Sequence, residues 1–332
     1  MFSDVTYPRS RVWNKSTLEE ADWLVPVPAP VSNDLLDVQD KVRIKGSGPV
    51  HVSEKESERI GSFLRYVADE KVISGRGFAV LRGWPIAGIE DIDSGVIKTI
   101  SPLLGPVFEQ PTARDGAIGT ISQEMTAKVL AAVRGDVGPQ SESGSNLSVE
   151  AQAMHTDNAS AQEGETPGGR PDIGILGLLC MKQAPHGGES VLASGPAVYE
   201  WLAANHPEYL RVFCEKRWWG GRPTESLKDG PFVEDSIFRS YAGKLVTRFS
   251  IGSIERGRDF HPGSVTVEDQ EIIRDLPNVI EDAGLAAELV LQEGDLFLLD
   301  NTAILHGRRG FVDSHQLEER RRLLRLWIKY QD

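Results

Sequence analysis

The chain has few of the residues that cross-link small secreted proteins or bind structural zinc. Only two cysteines occur among its 332 residues, Cys180 and Cys214, and they do not form a Cys-x-x-Cys pair. A disulfide framework and a zinc–thiolate site are therefore not expected. Two reduced, buried thiols are the simpler interpretation, and they favour a reducing, cytoplasmic compartment.

Long apolar runs and an excess of basic residues are missing as well. No uninterrupted apolar stretch approaches membrane-spanning length, and the first residues do not combine a basic segment with an apolar run. The formal net charge is −13, which argues against nucleic acid or an anionic membrane surface as the main partner. With 40% hydrophobic and 26% charged residues, the composition is that of an ordinary globular protein. We therefore expect a cytoplasmic protein with a small-molecule partner.

Helix signals dominate the first third of the chain, and strand signals dominate the rest. Prolines near the start predict an extended lead-in over residues 1 to about 50, with a short helix around Ser16 to Trp23. Ser53 and Glu56 form a capping-box pattern that begins a helix. A later helix from Val267 is expected to be interrupted at Pro277.

Many short apolar strands follow, separated by glycine and proline turns. They predict an α+β fold with a mainly β core, arranged as a sandwich or barrel with a helical layer. We expect one domain over 1–332, in which residues 1–110 are an extension and helices that pack on a core at 111–332. Residues 135–150 are rich in glycine, serine and acidic residues, and are predicted to form a mobile loop.

The chemistry begins at His155-Thr156-Asp157. On a strand, side-chain alternation places His155 and Asp157 on the same face. Such a short pattern also arises by chance on loops, so it needs a further ligand. His306 follows a buried strand, a tight turn and two apolar residues, which predicts a rigid position near the core. Two histidines and one carboxylate can occupy one face of an octahedral metal and leave three positions open, as in non-haem Fe(II) oxygenases.

Iron chemistry of this kind needs a cation that pairs with the far carboxylate of an acid cosubstrate, and arginine suits that task. The final strand is rich in arginine. Alternation places Arg321 and Arg325 on one face, towards the interior, while the opposite face is mostly apolar and suited to packing under helices. A slip of one residue would reverse the faces, so Arg320 and Arg322 stay open as alternatives.

The order of these motifs resembles the taurine-dioxygenase and clavaminate-synthase-like family of Fe(II)/2-oxoglutarate oxygenases over roughly residues 150 to 330. The decisive part is His155-x-Asp157, a long insert, Asp300-Asn301 and the run from His306-Gly307-Arg308 to Phe311 before the arginine-rich strand. The resemblance implies a double-stranded β-helix, or jelly roll, with flanking helices, and it implies Fe(II), 2-oxoglutarate and O₂. It also implies iron ligands and cosubstrate contacts: His155, Asp157 and His306 for the metal, and Arg321, Arg325 and Ser190 for 2-oxoglutarate.

The expected reaction is hydroxylation of an unactivated C–H bond in a small polar metabolite, such as an amino acid or a derivative, with 2-oxoglutarate decarboxylated to succinate. Arg248, Arg308 and Arg325 could pair with a substrate carboxylate, and Asn158 adjoins the metal motif. Desaturation, epoxidation and cyclisation remain alternatives within the same chemistry. Outside it, a zinc hydrolase or a non-catalytic jelly-roll binding protein remains open. An aspartate at 157 leaves no room for a chloride ligand, which disfavours a halogenase.

Overall fold

The computed structural model describes residues 5–46, 48–108, 118–122, 149–157, 174–221 and 232–330. The loop predicted at 135–150 lies outside these ranges except for its last two residues. The described α-helices are α1 (Glu20–Trp23), α2 (Ala29–Lys45), α3 (Glu54–Tyr66), α4 (Glu90–Ile100), α5 (Gly195–Asn205), α6 (Pro207–Cys214), α7 (Ile251–Phe260) and α8 (Val267–Asp282). A π-helix, Val67–Ile73, extends α3, and the described 3-10 helices are Arg9–Arg11, Ser101–Leu103 and Leu317–Glu319.

The described strands divide between two main sheets and three short pairs. They are β1 (Leu24–Pro26), β2 (Phe78–Arg82), β3 (Ile118–Ser122), β4 (Gln152–His155), β5 (Ile175–Lys182), β6 (His186–Gly187), β7 (Ser190–Ser194), β8 (Arg217–Gly220), β9 (Phe232–Asp235), β10 (Phe238–Tyr241), β11 (Lys244–Thr247), β12 (Ala287–Leu289), β13 (Leu296–Asp300), β14 (Ile304–Arg308), β15 (Phe311–Val312) and β16 (Arg322–Ile328). The larger sheet has the order β1-β2-β13-β5-β16-β3 and the smaller sheet β12-β7-β14-β4. The α+β prediction with a mainly β core therefore agrees with this mixture of sheets and helices.

The two main sheets pack face to face through one apolar cluster. It joins Phe297, Leu323 and Trp327 of the larger sheet to Leu192 and Ile304 of the smaller one. The outward faces are covered separately: α2, α3 and α4 cover the larger sheet, and α5 to α8 cover the smaller sheet. This layering positions the site, because inward polar side chains of both sheets meet between them.

Strand β16 shows how side-chain alternation divides the sequence between these layers. Leu324, Leu326 and Ile328 pack outward with the helices, whereas Leu323 and Trp327 belong to the cluster between the sheets. The two faces are those that the sequence predicts. Burying each such large apolar side chain contributes about 1.5–3 kcal/mol. A slip of one residue would move the outward leucines into the polar space between the sheets and bury charge beneath the helices.

The N-terminal region is more helical than its prolines suggest. The extended lead-in predicted up to about residue 50 is wrong, because the 17-residue helix α2 starts directly after Pro28. Proline is well tolerated in the first turn of a helix, where its missing N–H would have no intrahelical partner. The capping box at Ser53 is confirmed, since Ser53 and Glu56 each accept a hydrogen bond from the other's backbone N–H.

Helix α8 corrects a second expectation from proline. It continues through Pro277 to Asp282 instead of being interrupted there. Ile273, Leu276 and Ile280 are buried on one side of this helix and pack into the cluster beneath the smaller sheet. Because this apolar stripe crosses the proline, its burial offsets the lost backbone hydrogen bond.

The turn from Asp300 to Ala303 links the two sheets, because β13 lies in the larger sheet and β14 in the smaller one. Its backbone is hydrogen-bonded on several sides: Asp300 N–H donates to Gly77, Asn301 N–H to Gly174, and Thr302 C=O accepts from Thr247. The turn is therefore a fixed joint at the base of β14.

Candidate metal and cosubstrate site

The two histidines and Asp157 meet between the sheets. His306 lies in the middle of β14, and His155 is its direct partner at the end of β4. Their ring centroids are 4.4 Å apart, and the Nε2 atoms of His155 and His306 lie 3.3 and 3.6 Å from Asp157 Oδ1. One ligand atom from each residue lies within 4.8 Å of the others. The donor set of two imidazoles and one carboxylate fits Fe(II).

Asp157 lies two residues beyond β4, yet its backbone is held on both sides. Thr156 N–H donates to the Phe249 carbonyl at 2.8 Å, and Phe249 N–H donates to the Thr156 hydroxyl at 3.1 Å. The Asn301 side chain accepts from Asp157 N–H and donates to Asp157 C=O, both at 2.8 Å. These contacts fix the direction in which the Asp157 side chain leaves the backbone.

The Asp157 carboxylate is buried and has two donors on one oxygen. Trp327 Nε1 donates to Oδ2 at 2.7 Å, and Arg325 Nη1 lies 3.2 Å from the same oxygen. Burial opposes ionisation, but the Arg325 charge and the two histidines outweigh it and hold the pKa of Asp157 well below its usual range. Oδ1 is consequently the oxygen that faces the histidines.

A histidine binds a metal through an unprotonated ring nitrogen. Burial, together with the neighbouring His155, lowers the pKa of His306. The Nδ1 atom of His155 lies 3.0 Å from the Ala153 carbonyl, which assigns the proton to Nδ1 and leaves an Nε2 lone pair. The Gln152 amide lies 3.2 Å from that Nε2 and donates to the same lone pair that would bind a metal.

The metal cluster lies in a cleft that also contains the buried guanidinium of Arg321. The cleft encloses about 430 Å³ of empty space, part of it open to solvent, and its lining includes His155, Asp157, His306, Ser190 and Arg321. Burial lowers the pKa of Arg321 to about 10. Among the described residues, no carboxylate lies within salt-bridge distance of this guanidinium, although the charge of Asp313 acts on it from further away. A buried cation without such a partner favours an anionic ligand.

A second arginine, Arg308, lies on the same wall. Its strand position pairs with Ser190 of β7, and its Nη2 donates to the Glu150 carbonyl at 2.9 Å. The guanidinium carbons of Arg308 and Arg321 lie 4.5 and 5.4 Å from the centroid of the Phe311 ring. Burial and the nearby Arg321 charge lower the pKa of Arg308 to about 10. One aromatic ring therefore orients two cations towards the cleft.

Two of the predicted substrate contacts are not brought to this cleft by the described structure. Arg248 is buried against Asp235, with its Nη1 3.0 Å from Oδ2, and it is not among the residues that line the cleft. Asn158 lies outside the described residues. The other predicted positions are brought together: His155, Asp157, His306, Ser190, Arg308, Arg321 and Arg325.

The sequence predicts no role for Asn301, Trp327 or Phe311. Signals for them existed. Asn301 follows a strand end in the turn before His306, and Trp327 shares the inward face with Arg325. Their hydrogen bonds and ring contacts depend on three-dimensional distances, so the sequence could mark these positions without assigning their partners.

Comparison with known proteins agrees with this geometry. A family model described as "Taurine catabolism dioxygenase TauD, TfdA family" matches residues 69–327. The chain belongs to this family. It is an Fe(II)- and 2-oxoglutarate-dependent oxygenase, as the sequence motifs predict.

The curated relatives that match this chain are distant in sequence. FR-33289 synthase of Streptomyces rubellomurinus is 24% identical over 331 residues, which is 97% of this chain and 89% of that protein. A uridine-5'-phosphate dioxygenase from a Streptomyces species is 28% identical over 172 residues, or 50% of this chain and 58% of its own length.

Solved structures share the fold of this family member. An asparagine oxygenase, solved with Fe(II), a 3-hydroxyasparagine and succinate, superposes with a TM-score of 0.66 at 17% identity, covering 92% of this chain and 93% of that chain. The non-heme iron oxygenase OrfP, solved with Fe, superposes with a TM-score of 0.57 at 15% identity and covers 93% and 94% of the two chains. Within the described ranges, no helix is long and apolar enough to span a membrane.

Proposed function

We propose that His155, Asp157 and His306 bind Fe(II), and that Arg321 with Ser190 binds the far carboxylate of 2-oxoglutarate. The observation that carries this proposal is the presence, in one cleft, of a three-residue donor cluster and a buried arginine without a carboxylate partner among the described residues. A zinc hydrolase would use the first feature but has no need of the second. When bound, Fe(II) with 2-oxoglutarate and O₂ supplies the oxidation of an unactivated C–H bond, and 2-oxoglutarate leaves as succinate and CO₂.

The protein's own residues position the reactants. Trp327 and Arg325 bind Asp157 Oδ2, which orients Oδ1 towards the histidines. Arg321 offers two parallel N–H donors to a carboxylate, a geometry that fixes the cosubstrate in direction as well as position. Leu176 and Leu323 line the cleft and limit the access of water to it.

The proposed reaction is hydroxylation of a small polar metabolite that carries an anionic group, for which amino acids and their derivatives are the first class to test. Two arginines on the cleft wall, Arg308 and Arg325, support an anionic substrate because their charges make the cleft near the metal cluster more positive. The chain is similar in structure to an asparagine oxygenase and to OrfP, which was solved with a hydroxyarginine, and this similarity supports amino acids as the first substrates to test. Asn158 is kept as a proposed contact because it adjoins Asp157 in sequence.

We further propose that the two facing sheets form a double-stranded β-helix and that the chain folds as a single domain. The cluster between the sheets supports the first proposal. The second is supported by the packing of α2, α3 and α4 on the larger sheet, because these helices share one apolar cluster with its strands.

The test is coupled turnover. Purified protein with Fe(II) and 2-oxoglutarate should release succinate, and the correct substrate should stimulate that release and gain one oxygen atom in mass. His155→Ala should abolish succinate formation, and Arg321→Ala should strongly reduce it at low 2-oxoglutarate concentration. Arg320→Ala serves as a matched control, since Arg320 donates to the Ser314 carbonyl and does not line the cleft. Hydrolysis of a substrate without succinate release would overturn the proposal.

A further inference from the structure

Arg11 is buried beside the turn that precedes the strand of His306. It belongs to a short 3-10 helix, Arg9–Arg11, at the start of the described chain. This segment precedes the part of the chain that the family model matches, residues 69–327. Its guanidinium is nevertheless almost fully buried, which is unusual for a charged side chain without a specific partner.

The partner of Arg11 is Asp300, the last residue of β13. Arg11 Nη2 lies 2.7 Å from Asp300 Oδ2, and both side chains are 6% exposed. The same nitrogen donates to the backbone carbonyls of Val72 and Ile73, at 3.0 and 2.6 Å. The second carboxylate oxygen of Asp300 accepts from the backbone N–H and the hydroxyl of Thr302. Arg11 therefore fixes the turn from Asp300 to Ala303 to the rest of the protein.

That turn is connected to two of the proposed metal ligands. Asn301, the next residue, forms the paired 2.8 Å hydrogen bonds with the backbone of Asp157. Three residues further along, Ile304 begins β14, which carries His306. The Ser194 hydroxyl donates to the backbone carbonyl of Arg11, and Ser194 is the β7 residue that pairs with Ile304. The N-terminal segment thus contacts the turn through its side chain and the base of the smaller sheet through its backbone.

We propose that Arg11 is a positioning residue for the metal centre and acts through Asp300 and Asn301. The inference rests on the proposed metal site. Losing the ion pair lets the turn shift, which moves the Asp157 backbone and the start of β14 relative to each other. Since a metal site tolerates only small displacements of its ligands, metal affinity decreases even though Arg11 touches no ligand.

The experiment compares metal binding across matched variants of the full chain. Arg11→Met alone leaves a buried carboxylate unpaired and risks unfolding, so the informative variant is the double substitution Arg11→Met with Asp300→Asn. It removes both charges together and keeps an acceptor for Thr302, so no unpaired charge stays buried, although the carbonyls of Val72 and Ile73 lose this donor and some stability with it. Arg9→Met is the control, because Arg9 lies in the same short helix, is exposed, and pairs with Glu200 at the surface.

Metal binding is measured as the loss of the electron paramagnetic resonance signal of free Mn(II) during titration. The geometry of the ligands is measured from the visible absorption spectrum of the protein with Co(II) bound. Thermal unfolding is measured on the same preparations. We expect the double variant to be folded at the temperature of the titration, to bind Mn(II) about tenfold more weakly, and to show an altered Co(II) spectrum. Asn301→Ala should reproduce the Co(II) change, and Arg9→Met should match the wild type.

Two outcomes would overturn the inference. The first is a folded double variant whose Mn(II) affinity and Co(II) spectrum equal those of the wild type, which would make Arg11 a structural residue only. The second is an equal loss of affinity in Arg9→Met. A wild-type protein that binds neither Mn(II) nor Co(II) is a different result, because it would refute the proposed metal site itself.

Discussion

The two ends of the cleft differ in whether their buried charges are already paired within the protein. At the metal end, the Asp157 carboxylate is already matched by Trp327 and Arg325 on one oxygen and by two histidines near the other. At the other end, Arg308 and Arg321 share the ring of Phe311, and Arg321 has no carboxylate partner among the described residues. The protein thus stabilises the negative charge of Asp157 before a metal binds. At the other end, the positive charge of Arg321 is available for the carboxylate of a ligand.

Burial has a measurable consequence at the cationic end. It lowers the pKa of Arg321 and of Arg308 to about 10, whereas the pKa of Asp157 is lowered because a neighbouring cation favours its ionised form. Protonated arginine becomes less favourable on burial, and an incoming carboxylate reverses this effect. The difference between the two ends therefore predicts which substitutions affect metal binding and which affect cosubstrate binding.

The largest effect is expected at the metal end, from Asp157→Asn. The amide keeps the shape and an acceptor for Trp327 but lacks the negative charge that a divalent metal needs. We expect Mn(II) affinity to fall by more than about 100-fold, beyond the range typical of residues that only support a ligand. The same titration on Asp93→Asn, which changes a buried carboxylate that accepts from Ala87 N–H far from the cluster, should give the wild-type constant. Equal losses in the two variants would point to general destabilisation.

The next effect is expected at the cationic end, from Arg321→Met. Loss of a charge-assisted, two-point contact should raise KM for 2-oxoglutarate about 10- to 100-fold, while Mn(II) affinity stays within about twofold. Steady-state succinate release and the Mn(II) titration measure the two quantities on one preparation. Arg320→Met is the matched control. An equal rise in KM for Arg320→Met and Arg321→Met would contradict the proposal that Arg321 is the arginine that binds the cosubstrate.

The degree to which this site could be predicted from sequence follows from the kind of information each residue carries. His155, Asp157 and His306 are recognisable by residue type and order, and alternation along the final strand separates Arg321 and Arg325 from the outward leucines. Alternation is a local property of any strand, so it survives without knowledge of the fold.

The supporting residues could not be assigned in the same way. Asn301 holds a residue 144 positions away, and the Arg11–Asp300 pair joins the start of the chain to the end of β13. Nothing in the local pattern around Asn301 or Arg11 indicates such partners. The proline-based error at α8 has a related cause, because tertiary burial of an apolar stripe overrode a local preference. The error at α2 has a local cause, since proline is tolerated in the first turn of a helix.

A smaller effect is expected from Phe311→Leu, which removes the ring that orients both arginines. A cation–π contact at a partly desolvated site is worth about 0.5–1 kcal/mol, which corresponds to a two- to fivefold rise in KM for 2-oxoglutarate. Metal affinity should not change, because Phe311 contacts neither histidine. Val312→Ala changes the exposed neighbour of Phe311 in β15 and should leave KM as it is. An unchanged KM in Phe311→Leu would show that the ring packs beside the arginines without orienting them.

The smallest effect on ligand binding is expected from Leu324→Ala, on the outward face of β16. Leu324 is fully buried among the helices, so truncation should cost about 2–5 kcal/mol of folding free energy, measured by denaturant unfolding. Leu323→Ala removes the same atoms one residue earlier, from the face that lines the cleft. Both variants should lose stability, but only Leu323→Ala should raise KM for 2-oxoglutarate. If the two variants changed KM equally, the division of β16 into a structural face and a ligand-binding face would fail, because strain would then pass through the strand to the cleft.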